Sequence, residues 1–115
     1  MRRGDVYWAD LVLRSGSEQT GRRPVVIITH DSFNLNPGWN SLLVVPISKS
    51  TSQARRGPTV VALASGIAGV PKASFAICHQ VTTLDRSKVG KRLGRLPAEI
   101  LNQVEDALKA AMDLQ

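Results

Sequence analysis

Short apolar runs rich in β-branched residues alternate with polar, turn-forming segments along most of this 115-residue chain. Runs of this length and composition are typical of buried strands, and each is too short to make a core helix. The predicted strands span residues 6–11, 25–29, 42–47, 59–63, 74–82 and 91–93. The segment 31–40, which contains the turn sequence Asn-Pro-Gly, is predicted to be a loop with one helical turn.

Two of these strands carry expectations about where particular side chains lie. Pro46 donates no backbone hydrogen bond, so it predicts an edge position or the end of the strand, with Ser48 emerging just beyond. In the strand 74–82, alternation places His79 on the same face as Ile77. Cys78 falls on the opposite face by the same rule.

A C-terminal helix follows Pro97, which suits the first helical position. Beyond it, apolar residues recur at three- and four-residue steps and predict an amphipathic packing helix. Five or six short strands closed by one such helix predict an α+β, mainly β fold, a small and strongly curved antiparallel sheet or barrel. No repeat or linker divides the sequence, so residues 1–115 are expected to form a single domain.

The chain is basic, with 15 Lys and Arg against 9 Asp and Glu, a net charge of +6 and a pI near 10.3. Most of the cations are arginines, which bind phosphate oxygens through a planar fork. This balance favours a polyanionic partner, while a solvated basic surface kept for solubility is the alternative.

The sequence argues against a disulfide, a reactive thiol and a membrane or exported location. The single Cys78 cannot form an internal disulfide and sits in an apolar run, which indicates a buried thiol. The basic N-terminus has no apolar run behind it, and no segment reaches membrane length, so a soluble, cytoplasmic protein without membrane contact is expected.

No motif for a metal or a cofactor is present. The sequence has no phosphate-binding glycine loop, no zinc-ligand spacing and no nucleophile elbow, and its aspartates are scattered beside turns. We therefore expect neither a metal nor a cofactor.

Polar residues at predicted strand ends remain, and their types suit RNA chemistry. They are Glu18, Arg23, Ser48, His79 and Gln80. RNA carries its own nucleophile, the 2′-hydroxyl, so cleavage needs only a base, a cation to stabilise the phosphorane and an acid for the departing 5′-oxygen. The composition is also compatible with an alternative, a barrel that binds nucleic acid without cleaving it.

Several segments, taken together, resemble the MazF/PemK family of toxin endoribonucleases, also called mRNA interferases. The N-terminal match comprises RGDVYWADL at 3–11, GSEQ at 16–19 and RPVVII at 23–28. Further matches are VVPIS at 44–48, QVTTLD at 80–85 and GKRL at 90–93, followed by the helix.

The resemblance implies an SH3-like, gyrase-poison-type antiparallel barrel with a C-terminal amphipathic helix, assembled as a homodimer. It implies metal-independent, sequence-specific cleavage of single-stranded mRNA that leaves 2′,3′-cyclic phosphate and 5′-hydroxyl ends. A cognate antitoxin is implied as well, and DNA would be contacted only indirectly, through that antitoxin.

Site residues are carried over by matching positions. Arg23 matches the family arginine that acts in acid/base catalysis or stabilises the phosphorane. Ser48 matches a hydroxyl position that is usually Thr in relatives. Glu18 lies in a loop where some relatives use a carboxylate, and His79 is our candidate for a general base or a phosphate contact, because imidazole titrates near neutral pH. The expected RNA contacts are Ser17, Gln19, Lys49, Arg55, Arg56 and Gln80.

The sequence departs from the PemK-like branch at three positions, and this keeps alternatives open. Ser17 stands where that branch tends to have His, Ile77 where it has Arg, and His79 where it has a carboxylate. A catalytically impaired, RNA-binding member is one alternative. A gyrase-poisoning toxin on the same fold is another, although this chain lacks a tryptophan near its C-terminus. Trp39 is expected either to pack at an interface or to stack on a base.

Overall fold

The computed structural model describes residues 1–11, 21–50 and 57–114. Within them the chain forms one seven-stranded antiparallel sheet, a short helix and a long C-terminal helix, in agreement with the predicted mainly β fold. The strands are β1 (Asp5–Leu11), β2 (Gly21–Ile27), β3 (Ser41–Ser48), β4 (Val60–Leu63), β5 (Ser74–Ile77), β6 (Thr82–Asp85) and β7 (Val89–Arg95). The helices are α1 (Asp31–Asn34), which is the predicted helical turn, and α2 (Ala98–Met112).

The sheet is organised around β3. Its strands run in the order β4-β5-β3-β2-β1-β7, and β6 pairs with β3 on the same side as β5 does. β6 pairs with residues 41–44 of β3, and β5 pairs with Ile47 and Ser48. The strand therefore changes partner part-way along, which is how a small sheet curves into a barrel-like shape.

The expectation that Pro46 marks an edge strand is wrong, since β3 has neighbours on both sides. Pro46 lies opposite Val25 of β2 and falls between the β6 pairing, which ends at Val44, and the β5 pairing, which begins at Ile47. A proline is tolerated here because the missing N–H falls where the ladder on that side is already interrupted.

The predicted single strand 74–82 is also wrong, because it is two strands separated by a 3-10 turn at Cys78–Gln80. The turn carries the chain from β5 to β6 at the point where β3 changes partner. Side-chain alternation stops at Ile77, so His79 is exposed whereas Ile77 is fully buried. The two residues do not share a sheet face.

Apolar side chains cover both faces of the sheet. One cluster joins Val6, Val26, Val45 and Ile47 to α2 through Val104, Ala107 and Leu108. This confirms the amphipathic packing helix, which begins one residue later than expected because Pro97 is its N-cap. A second cluster lies on the opposite face. No helix in the described part of the chain has the length and apolar character needed to span a lipid bilayer.

The second cluster defines the sheet face that faces away from α2, which we call the outer face. Its members are Ala9, Leu11, Val25, Ile27, Leu42, Val44 and Leu84. Because side chains alternate along a strand, every second residue of β1, β2 and β3 in step with these belongs to the same face.

Candidate active site

Arg23 lies inside β2, which begins at Gly21 and not at Val25 as the sequence predicted. It pairs with Ala9 of β1 and is half-buried. Alternation places it on the outer face with Val25. The neighbouring Arg22 belongs to the other face, where its guanidinium lies 5.5 Å from the centre of the Trp8 ring. Two adjacent arginines therefore serve opposite faces of one strand.

Ser48 is the last residue of β3 and lies opposite Phe75 of β5. The residue is only 2% exposed, and its Oγ accepts a hydrogen bond of 3.1 Å from the N–H of Ser50. This contact fixes the backbone just past the strand, in the manner of a serine turn. It sets the direction in which the exposed Lys49 leaves the sheet.

Arg23 of β2 and Ser48 of β3 lie at the same end of two neighbouring strands. β2 and β3 pair through Val25↔Pro46, and the same antiparallel register continued by two residues sets Arg23 level with Ser48. Both belong to the outer face by alternation. The paired residues themselves end at Val25↔Pro46, so the register places the two backbone positions at the same end of neighbouring strands.

His79 and Gln80 lie in the 3-10 turn between β5 and β6. Their turn connects β5, which pairs with Ile47, to β6, which pairs with Val44, so it is level with the middle of β3. This is about three residues, or roughly 10 Å, along β3 from Ser48. His79 is exposed, and its Nδ1 lies 2.8 Å from the Oγ1 of Thr59. Along the sheet, the backbone of this turn therefore lies away from the end of β3 that carries Ser48.

Five of the predicted site residues fall outside the described residues: Ser17, Glu18, Gln19, Arg55 and Arg56. Their assignments stay predictions. Among described residues, no group of three or more His, Cys, Asp or Glu is placed to hold a metal ion. Cys78 is fully buried, and burial raises the pKa of its thiol to about 12, so it is poorly suited to act as a nucleophile.

One polar cluster was not predicted from the sequence. The buried Asp5 carboxylate accepts the N–H of Arg2 at 2.9 Å, and its Oδ1 lies 3.1 Å from Arg95 and 3.4 Å from Arg92. Burial, and after it the charge of Asp5, raises the pKa of the nearby Tyr7 phenol. The arginines of β7 reach Asp5 only because β7 pairs with β1, and nothing in the local sequence signals that pairing.

Comparison with known proteins agrees with this architecture. Residues 2–112 match the model of the PemK-like, MazF-like toxin of type II toxin-antitoxin systems. The chain is 36% identical over 115 residues to the endoribonuclease MazF of Staphylococcus saprophyticus, covering 99% of this chain and 92% of that one. It is 31% identical over 114 residues to the endoribonuclease EndoA of Bacillus subtilis, covering 99% and 96%.

Solved structures share the fold at lower identity. MazF from Deinococcus radiodurans superposes with a TM-score of 0.81 at 23% identity, covering 99% of this chain and 97% of that one. A mycobacterial endoribonuclease in complex with its cognate antitoxin superposes with a TM-score of 0.79 at 23% identity, covering 100% and 97%. By the extent of the family match and the identity to these relatives, the chain belongs to the family of PemK-like, MazF-like toxins of type II toxin-antitoxin systems.

Proposed function

We propose that this protein is an endoribonuclease toxin that cleaves single-stranded mRNA at specific sequences through the RNA's own 2′-hydroxyl. The proposal is supported by the register of β2 and β3, which, extended by two residues, would set Arg23 level with Ser48, in a chain whose relatives are named endoribonucleases. A cation beside a fixed hydroxyl on a basic protein suits a phosphodiester.

The reaction needs no group beyond side chains. The 2′-oxygen attacks the adjacent phosphorus while a base takes its proton, and the 5′-oxygen leaves as it receives a proton, giving a 2′,3′-cyclic phosphate and a 5′-hydroxyl. Negative charge accumulates on the phosphorane oxygens in the transition state. Arg23 would stabilise that charge, because a guanidinium donates to two oxygens at once.

Ser48 acts through position. Its hydroxyl oxygen holds the N–H of Ser50, and the chain between them presents Lys49 to solvent at the same end of the sheet as Arg23. Two residues are candidates for the base: Glu18, in the segment before β2, and His79, in the turn after β5. The residues that would contact the RNA are Ser17, Gln19, Lys49, Arg55, Arg56 and Gln80.

Partners follow from the same family membership. We propose a cytoplasmic homodimer that is neutralised by a cognate antitoxin, as in the mycobacterial complex that shares this fold. Contact with DNA would arise only through the antitoxin.

Cleavage of a long RNA in the presence of EDTA tests the proposal. Discrete cuts with 5′-hydroxyl ends are expected from the wild-type protein, and Arg23→Gln is expected to lower the rate at least a hundredfold, on the order of the loss of one transition-state donor. Arg22→Gln is the matched control, because it removes the same charge from the opposite face. Binding without cuts would identify an RNA-binding member without activity, and neither binding nor cuts would favour the gyrase-poisoning alternative.

A further inference from the structure

A second basic site lies on the outer face, away from Arg23. It is a pocket of about 400 Å³ between the N-terminal turn, β1 and β7. Its lining residues are Met1, Arg2, Asp5, Tyr7, Arg92 and Arg95. Arg2, Arg92 and Arg95 against Asp5 give the lining side chains a formal charge of +2.

The buried carboxylate of Asp5 holds the two arginines of β7 in place. Asp5 is 4% exposed, and its Oδ1 contacts one nitrogen of Arg92 and one of Arg95. Each guanidinium carries five N–H donors, and within the described part of the chain neither arginine donates to any other group. Their side chains are about half exposed, so the remaining donors are accessible. A buried carboxylate that orients two accessible guanidinium groups makes a preorganised anion-binding site.

Tyr7 adds a neutral donor and a ring. It pairs with Arg92 across β1 and β7 and packs against the outer-face cluster. Its raised pKa keeps the phenol protonated and able to donate to an oxyanion. The pocket is larger than a phosphate group alone and falls in the range of small-ligand sites, which leaves room for a sugar or base beside the phosphate.

The pocket and the candidate active site share a surface. Arg23 pairs with Ala9, and Asp5 lies four residues earlier on the same strand and the same face, about 13 Å away. The residues between them, such as Ala9 and Val25, are buried, so an RNA strand that contacts both sites would have to pass over whatever covers this face. We propose that the pocket formed by Arg2, Tyr7, Arg92 and Arg95 around Asp5 binds a backbone phosphate of the substrate RNA away from the cleaved bond; this inference rests on the proposed function.

Binding to an RNA that cannot be cut provides the test. A 2′-O-methyl RNA lacks the nucleophile, so its affinity can be measured without cleavage. Relative to wild type, Arg92→Gln/Arg95→Gln is expected to lower affinity about tenfold and to reduce the slope of log K against log salt by roughly 0.7, the value for one phosphate of a single strand.

Lys91→Gln is the matched control, because it removes a charge from the same strand at an exposed position outside the pocket lining. A slope for Arg92→Gln/Arg95→Gln no smaller than that of Lys91→Gln would overturn the inference. Wild-type cleavage in EDTA would still stand in that case, so failure of this site and failure of the proposed function are distinguishable.

The double variant leaves the buried Asp5 without either guanidinium and could fail to fold, so the wild-type protein supplies a second measurement. The Tyr7 ring and the Arg92 and Arg95 side-chain signals are followed by NMR during titrations with 2′-O-methyl RNA, inorganic phosphate and a poly-glutamate peptide. Shifts that saturate at the lowest concentration for RNA support the proposal. Shifts with inorganic phosphate alone would indicate a free-anion site, shifts strongest with the peptide would indicate an acidic protein partner, and either result would overturn the proposal.

Discussion

The imidazole Nδ1 of His79 lies 2.8 Å from the hydroxyl oxygen of Thr59, which joins the turn after β5 to the turn before β4. The contact fixes the plane of an exposed ring at the border of two strands. If His79 is the base, its protonation state governs the rate. His79→Gln is then expected to depress cleavage and to remove one limb from the pH–rate profile.

The same profile separates the two candidate bases. Glu18→Gln, and not His79→Gln, would remove that limb if the carboxylate takes the proton. Thr59→Val keeps His79 but removes its hydroxyl partner, and serves as the control for ring orientation. A profile in His79→Gln identical to the wild-type one, with unchanged rate, would rule out a catalytic histidine.

A second prediction concerns the hydroxyl of Ser48. Ser48→Ala removes the acceptor that holds the N–H of Ser50, so the exit from β3 loses a fixed direction. Cleavage is expected to fall about tenfold, equivalent to about 1.4 kcal/mol, while Ser48→Thr, which keeps the oxygen, is expected to restore most of the rate. Steady-state cleavage of a short fluorogenic RNA measures this. Equal rates for the Ala and Thr variants would show that the hydroxyl has no role.

The strands that carry Arg23 and Ser48 could largely be predicted from the sequence. Arg23 precedes a β-branched run and Ser48 ends one, and register in a buried sheet is fixed by which face is apolar. The antiparallel sheet and the position of the C-terminal helix also agree with the patterns read from the chain. Local sequence patterns suffice to predict a strand or helix where that segment packs in one regular structure along its whole length.

The sequence fails where tertiary contacts override local pattern. The run 74–82 has strand composition throughout, yet it breaks at Cys78 because β3 exchanges β5 for β6 there. Asp5 reads as a turn residue, but its partners Arg92 and Arg95 come from 87 and 90 residues away. No single-segment rule anticipates a contact of that separation.

A third prediction follows from the buried thiol of Cys78. Its pKa is raised from 9.0 to about 12 by burial, so the folded protein holds a proton that the unfolded chain would release. The stabilising contribution is therefore complete below pH 9 and is lost as the pH rises from 9 towards 12. Urea denaturation at pH 8 and pH 10.5 should show a larger loss of unfolding free energy for wild type than for Cys78→Ala. Equal losses would contradict the assignment.

A fourth prediction concerns Arg86, which organises the loop between α1 and β3. Its guanidinium donates to the carbonyl oxygens of Trp39, Asn34 and Phe33 at 2.9, 3.2 and 3.3 Å. Arg86→Lys keeps the charge but cannot reach three carbonyls with a planar fork. We expect a loss of about 2 kcal/mol in unfolding free energy, measured by chemical denaturation. Lys88→Arg is the control at a nearby exposed position, and a similar loss in both variants would refute the role of Arg86.

The end of α2 offers a stabilising substitution. Asp113 adopts a left-handed conformation with φ of 56° and donates its N–H to the carbonyl of Lys109, which is the position where helices usually end in glycine. Its carboxylate also faces the negative end of the helix dipole. Asp113→Gly is therefore expected to raise the unfolding free energy by about 0.5 to 1 kcal/mol and the melting temperature by about 3 °C. Asp106→Gly, in the interior of the same helix, should instead lower stability by about 0.3 kcal/mol, and a change of the same sign in both variants would contradict the helix-end explanation.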